Sequence, residues 1–391
     1  MKKILHISKY YYPFLGGTEQ VARDMVNALV GSDIEQKVIC FNEDANGGGM
    51  TSKRRQTCTD IVDGVEVTRC GVFMKVSSQA ISMTYGRELK RVMNEFKPDV
   101  IILHYPNPFV THYLLKYKKR HFKLFVYWHL DITKQKKMKH LFHGQNVKLI
   151  NRADKILGAT PKHLNESEFT PLFGDKKYIL PYMIDESSLV ISEDDILEAK
   201  RIRECYKGKI LGFFIGRHVP YKGLVYLIKA SKELGESNLH FLVAGTGELT
   251  ESLKQEAKDD PKVEFLGRIT DSQRKSYLYA CDIICFPSIT RNEGFGLALA
   301  EGMYFGKPAV TFTIPGSGVN YVNLNGETGI ECPNCDVKAY AEALKTLADH
   351  PELRAEYGNA GRQRVLENFT TQRFKKNVCE LIDALLSEQK Q

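Results

Sequence analysis

No stretch of this 391-residue chain is apolar for long enough to span a bilayer. The apolar-rich uncharged run VIILHYPNPFVTHYLL is interrupted by two prolines, an asparagine and two histidines. The opening MKKILHIS has a basic pair but no apolar core of signal-peptide length, and it reads as a first strand. Nine scattered cysteines, an odd number, do not make a disulfide framework and fit a reduced, cytoplasmic protein. The one CxxC, Cys332 and Cys335 in ECPNCD, lacks the second pair or histidines that a zinc site needs, so a metal or redox role is not expected of it. There is no low-complexity segment, no short repeat and no Asp-x-Asp, the minimal arrangement that holds a cation beside a nucleotide sugar.

What is present is a globular composition, 43% hydrophobic and 26% charged, at a length that implies more than one core. The net charge of +8 is unevenly spread. Residues 1–170 carry 27 Lys and Arg against 16 Asp and Glu, and the remainder carries 28 against 31. The basic segments 116–123 and 134–139 suit either a solvated face or contact with anionic lipid headgroups or an anionic acceptor. No recognition motif accompanies the charge, so nucleic acid is not expected.

Short β-branched runs alternate with amphipathic helical segments, and the pattern restarts near residue 208 after the acidic stretch SEDDILEAKRIREC. Two such series imply two doubly wound α/β domains, with parallel sheets covered on both faces and a linker near 182–207. VDGVEV reads as a hairpin turn. In open α/β sheets ligands bind beyond the carboxyl ends of the strands, so those ends carry the search.

Four strand ends stand out. In HISKYYYPFLGGTEQ, Gly16 and Gly17 precede a helix whose free N–H groups suit an anion, at a spacing other than GxGxxG. In VYWHLD, His129 ends a strand, with Asp131 on the same side if the strand continues. A histidine there can bond a sugar hydroxyl or assist proton movement, or it can be structural. In IGRHVPYKGL, Arg217 offers a planar fork and Lys222 a point charge, together enough to neutralise a diphosphate without metal. In RNEGFGLALAEGMYFGKP, Glu293 lies in a loop and Glu301 on the following helix, whose start from Gly296 presents unpaired N–H groups to phosphate oxygens. Glu301, deeper in, suits vicinal hydroxyls such as those of ribose. In so apolar a helix it needs a partner.

Taken together these residues resemble the retaining nucleotide-sugar glycosyltransferases of family 4. NEGFGLALAE is similar to their Glu-x7-Glu motif and GRHVPYKG to their phosphate-contact signature. YYPFLGGTEQVARDM and WHLDITKQKK are similar to their N-terminal loop and their strand-end histidine segment. The resemblance runs over essentially the whole chain and is nearest to bacterial mannosyltransferases of O-antigen and capsule assembly.

The resemblance implies the GT-B arrangement: two Rossmann-like domains facing across a cleft, with a last helix crossing back to the first. The expected bounds are 1–185 for the acceptor-side domain, 186–370 for the nucleotide-sugar domain and 371–391 for the returning helix. By motif position, His129, Arg217, Lys222 and Glu293 would be catalytic. Gly16, Gly17, Gly294, Phe295, Gly296, Leu297 and Glu301 would bind the donor, with no metal and no cofactor. The implied reaction moves a hexose, with mannose from GDP-mannose favoured, to a hydroxyl of a growing surface glycan, lipid-linked on polyprenyl diphosphate, at the inner face of the membrane. UDP-hexose donors, an epimerase on the same architecture and a non-catalytic sugar-nucleotide scaffold are the alternatives. Where the family has a Pro-Pro-Gly-Asp turn this chain has CPNCD, and Leu130 between His129 and Asp131 leaves the role of Asp131 open.

Overall fold

The computed structural model describes residues 1–387 apart from 15, 45–47, 51–52, 77–78, 118–120, 130 and 132–135, together with the side chains of 136–141. The chain forms two compact units, Met1–Pro181 joined by the residues from Phe374 onward, and Tyr182–Arg373. The sequence reading sets these boundaries at 185 and 370.

The strands of the first unit are β1 (Lys2–Ile7), β2 (Ile34–Asn42), β3 (Cys58–Val62), β4 (Val65–Gly71), β5 (Met74–Val76), β6 (Gln79–Ile81), β7 (Val100–Tyr105), β8 (Lys123–Trp128), β9 (Lys155–Gly158) and β10 (Lys177–Ile179). Eight of them pair in the order β10-β9-β8-β7-β1-β2-β4-β3, parallel except for β3, which pairs antiparallel with β4 at the edge. The turn between β3 and β4 places Asp63 at φ 50° and Gly64 at φ 81°, as a two-residue hairpin requires, so the VDGVEV reading is met. β7 is buried at every position, as expected of a central parallel strand covered on both faces. The small hairpin β5–β6 had no signal in the sequence. Strand order reverses between β1 and β7, which makes their carboxyl ends the crevice of this sheet.

The second unit holds β11 (Ile210–Ile215), β12 (Leu239–Ala244), β13 (Val263–Gly267), β14 (Ile283–Phe286), β15 (Ala309–Phe312) and β16 (Gly329–Cys332). They form an all-parallel sheet in the order β13-β12-β11-β14-β15-β16. Order reverses between β11 and β14, the two strands that precede Arg217 and Glu293.

The expected linker at 182–207 is folded structure. Ser192 and Asp195 form a capping box at the head of helix Glu193–Cys205. Asp195, 1% exposed, also binds Lys275 at 2.7 Å and Ser272 at 2.5 Å, all within the second unit. Those partners hold its carboxyl far below the usual carboxylate range despite burial, which acts the other way. In helix Thr371–Ser387, Phe374, Val378, Leu381, Ile382 and Leu385 form a buried stripe, each contributing about 1.5–3 kcal/mol by removal from water. Asp383 of this helix pairs with Lys2 of β1.

The nine cysteines are all free thiols. Cys332 is buried, with Sγ 3.4 Å from the Ala339 carbonyl, and Cys335 sits at φ 63° in the turn before Asp336, which caps helix Val337–Asp349. This is the plain turn.

Candidate active site

In the second unit the chain leaves β11 at Gly216 and Arg217, turns through a short 3-10 helix at Pro220–Lys222, and enters helix Leu224–Glu233 through Gly223. Gly223 has φ 63°, and a Cβ there would collide with the carbonyl oxygen of Pro287 in the loop after β14. Only glycine permits both the left-handed turn and this approach of backbones. The two loops are further tied by the Ile289 amide donating to the Tyr221 carbonyl at 3.0 Å.

This contact brings two of the candidate residues together. Lys222 Nζ lies 2.5 Å from Glu293 Oε2, and both side chains are about nine-tenths buried (12% and 11% exposed). Ser288 Oγ donates to the same oxygen at 3.1 Å, and the ammonium stands 5.2 Å above the Phe286 ring. Arg217 stays exposed, with Nη2 donating to the Tyr221 hydroxyl at 3.3 Å. The group is therefore one neutralised ion pair with a second cation beside it at the strand-order reversal.

Beyond Glu293 the backbone is fixed from behind. Ser317 Oγ donates to the Glu293 carbonyl, and the Gly318 amide donates to the Gly294 carbonyl at 2.9 Å. The Phe295 ring, 2% exposed, packs against Tyr182 and Phe369 at 5.4 and 5.3 Å, so its side chain is an anchor and only its backbone remains for a ligand. Gly296, at φ 90°, caps helix Leu297–Tyr304, whose first N–H groups have no intrahelical acceptor. Glu301, on this helix, has the partner that burial demands: Oε1 is 2.6 Å from Nη1 of Arg274, which also reaches Asp271 at 3.5 Å. Burial raises the Glu301 carboxyl above its ordinary value, against the pull of Arg274. Sequence reasoning missed Arg274, which lies in the polar segment DSQRKSYLYA and reads as solvated.

His129, Gly16 and Gly17 belong to the first unit. Gly16 caps helix Gly17–Leu29, and the Glu19 carboxylate folds back against it while accepting from Thr18 Oγ1 at 2.9 Å. The positive end of the helix thus already faces one carboxylate of its own. His129 is 4% exposed. Its Nε2 is 3.1 Å from Nδ1 of His104, with the rings stacked at 5.3 Å. Burial pushes the His129 imidazole down to about 3, with His163 acting in the same direction, so it is neutral at pH 7. Asp131 is held by partners of its own. It accepts from Trp128 Nε1 at 2.7 Å and from Ser167 Oγ at 2.9 Å, a structural clasp. In the basic segments 116–123 and 134–139, residues 118–120 and 134–135 and the side chains of 136–139 lie outside the described residues.

Among the described residues no helix is long and apolar enough to cross a membrane, and no group of three or more His, Cys, Asp or Glu is placed to hold a metal ion.

Comparison with known proteins gives a consistent picture. The model described as Glycosyltransferase Family 4 matches residues 15–168, and that described as Glycosyl transferases group 1 matches residues 195–364. O-antigen chain mannosyltransferase C of Escherichia coli is 26% identical over 98% of this chain and 99% of its own. D-rhamnosyltransferase WbpZ of Pseudomonas aeruginosa is 26% identical over 94% of this chain and 92% of its own. Among solved structures, sucrose-phosphate synthase from Thermosynechococcus elongatus superposes with TM-score 0.76 at 16% identity, covering 99% of this chain and 100% of that one. Anabaena HepE in complex with UDP-glucose superposes with TM-score 0.73 at 17% identity, covering 98% and 100%. At these identities the structural likeness establishes the GT-B fold.

Proposed function

We propose, for a chain that belongs to the glycosyltransferases of group 1 and family 4, that it transfers a hexose or deoxyhexose from a nucleoside diphosphate sugar to a hydroxyl of a surface glycan, with retention of anomeric configuration. The observation that carries this reading is the pairing of Lys222 with Glu293 beside Arg217, at the point where strand order reverses in the second sheet.

In this reading the leaving diphosphate meets Arg217, Lys222 and the start of helix Leu297–Tyr304, which stabilise charge as the glycosidic bond stretches. Those cations do the work that a metal does elsewhere, so activity without metal is expected. Glu301, held by Arg274, receives the ribose hydroxyls. Glu293 faces the donor sugar, and release of Lys222 to the phosphate frees its carboxylate for sugar hydroxyls. The acceptor attacks from the face the leaving group vacates, and a donor phosphate oxygen takes its proton. The neutral His129 serves as a hydrogen-bonding group to the sugar.

Two relatives that span nearly the whole chain are named for mannose and for D-rhamnose, which favours a sugar of that kind. GDP-mannose is the donor to try first. HepE was solved with UDP-glucose, which makes a UDP-hexose the second. The same relatives support a glycan acceptor of the O-antigen type, and a lipid-linked one would act at the inner face of the membrane.

The test is thermal shift with GDP, UDP, ADP and dTDP, on the wild type and on Arg217→Ala with Lys222→Ala. A shift with one base that disappears in the double variant supports the donor assignment. No shift with any of the four would overturn it in favour of a non-catalytic scaffold. Proton NMR of the first-formed product then reads its anomeric configuration, and inversion would overturn the stereochemical part.

A further inference from the structure

The hairpin β5–β6 follows β4 at the carboxyl edge of the first unit's sheet, the edge at which β1 and β7 open their crevice. Its register pairs Met74 with Ile81, Lys75 with Ala80 and Val76 with Gln79. Directly opposed residues share a face, and successive ones alternate. Lys75 and Ala80 face the body of the unit: Ala80 is fully buried, and Lys75 Nζ lies 2.6 Å from Glu43 and 5.8 Å from the Tyr10 ring. Met74, Val76 and Ile81 therefore face outward. Met74 and Val76 are exposed, as are Phe73 before the hairpin and Met83 after it, the last at 79%. Thirteen large apolar side chains are exposed among the described residues, and four of them fall within residues 73–83. Exposed apolar residues scattered singly need no explanation, but a cluster of this kind marks an interaction surface.

A basic run is clasped to the base of this hairpin. The Val72 amide donates to the Arg54 carbonyl at 2.8 Å, and a Cβ on Gly71 would collide with the Arg55 carbonyl. Arg55 lays its guanidinium over the Phe73 ring at 5.2 Å. Lys53 and Arg55 are exposed and have no acidic partner among the described residues. Arg54 and Lys75 share one carboxylate, the buried Glu43, at 3.6 and 2.6 Å. Four cations thus meet one anion around an apolar face.

We propose that Phe73, Met74, Val76 and Met83, with Lys53 and Arg55 at their rim, dock on the surface of an anionic lipid bilayer. The apolar side chains enter the headgroup boundary while the cations meet lipid phosphates. Two observations favour lipid over another protein. Four side chains cover well short of the about 800 Å² per partner that a stable protein interface buries. The 27 Lys and Arg against 16 Asp and Glu of residues 1–170 also give the surrounding unit the sign that anionic lipid attracts. The hairpin borders the crevice, because Gln79 of β6 lines a cavity there with Ser8 and His104. A bilayer held at this edge presents lipid-linked acceptors close to the strand ends. That use rests on the glycosyltransferase reading, whereas the docking itself does not.

The experiment is flotation of the full chain, without donor, with vesicles of phosphatidylcholine alone or mixed in equal parts with phosphatidylglycerol. Binding is expected with the mixed vesicles only, and it should weaken as salt is raised. Met74→Asp with Val76→Asp should weaken it about tenfold or more, and Lys53→Gln with Arg55→Gln by about as much. All four positions are exposed, so melting points should hold, and the second pair keeps the test decisive if the first fails to fold. Val190→Asp with Leu197→Asp, at exposed apolar positions of the second unit, is the control and should bind as the wild type does. No binding to the mixed vesicles, undiminished binding in either test pair, or equal loss in the control overturns the proposal. So does a dimer, seen by sedimentation equilibrium without vesicles, that Met74→Asp with Val76→Asp dissociates, since the face then belongs to a second copy. Thermal shift with nucleoside diphosphates on the same samples keeps the two readings apart. A chain that binds a diphosphate but no vesicle refutes this inference alone, and one that binds vesicles but no diphosphate refutes the transferase reading alone.

Discussion

Lys222 Nζ lies 2.5 Å from the Glu293 carboxylate, so the cation assigned to the diphosphate is already engaged before any donor arrives. A donor must therefore exchange one ionic partner for another. Glu293→Gln removes the competitor, and nucleoside diphosphate binding is expected to hold or tighten while transfer falls at least tenfold. Lys222→Ala should weaken diphosphate binding by tenfold or more. It should also destabilise the fold by about 2–3 kcal/mol, because it strands a carboxylate that is nine-tenths buried. Calorimetric titration and thermal melts of both variants check the pair.

Arg274 holds one oxygen of Glu301 at 2.6 Å and is placed to orient the other. Arg274→Ala is expected to weaken nucleoside diphosphates five- to tenfold and to leave inorganic pyrophosphate unchanged, since pyrophosphate has no ribose. Equal loss for both ligands would mean that Arg274 acts on the phosphates or on the fold.

Gly223 seats the Lys222 turn against Pro287, at a positive φ with no space for a Cβ. Gly223→Ala should lower stability by about 2 kcal/mol or more and loosen diphosphate binding together with it. Gly17→Ala is the control. It meets nothing within 4 Å, and its melting point should move little.

His6 and His129 are buried and neutral, with ring pKa values pushed down to about 4 and about 3 from 6.5. The unfolded chain therefore binds more protons below pH 6.5, and stability falls as pH drops toward those values. Each contributes a loss of about 2 kcal/mol between pH 7.5 and pH 5. Melts across that window should show the decline, and its slope should fall in His6→Asn, which cannot titrate.

Transfer activity, once a donor is found, is expected to survive excess EDTA, because Arg217 and Lys222 supply the positive charge. Loss of activity on chelation with recovery on adding Mg²⁺ or Mn²⁺ would count against that role.

The strand ends were legible in the sequence because glycine, charge and β-branched runs mark them locally. The pairing of Lys222 with Glu293 was not legible, since it depends on β11 and β14 lying side by side in the sheet. Arg274 was not legible, since its relation to Glu301 depends on two helices meeting and its own segment looks solvated. His104 sits inside VIILHY, where every residue is buried, so no alternation singles it out. The folded stretch after residue 182 did leave a signal. Ser192 with Asp195 three residues on is a helix-start signature, in an acidic stretch whose sequence reads as helical.

The second unit is one uninterrupted length of chain, from Tyr182 to Arg373, while the first is made of two pieces. Its ends are zipped to each other: the Ile184 amide donates to the Phe369 carbonyl at 2.8 Å, and the Thr371 amide donates to Glu186 at 2.8 Å. In architectural terms it is an insert with adjoining ends, the kind of module that tolerates replacement at two junctions. Recombination between related genes can then trade the donor half as a cassette and leave the host half intact, and a laboratory chimaera needs no other cut.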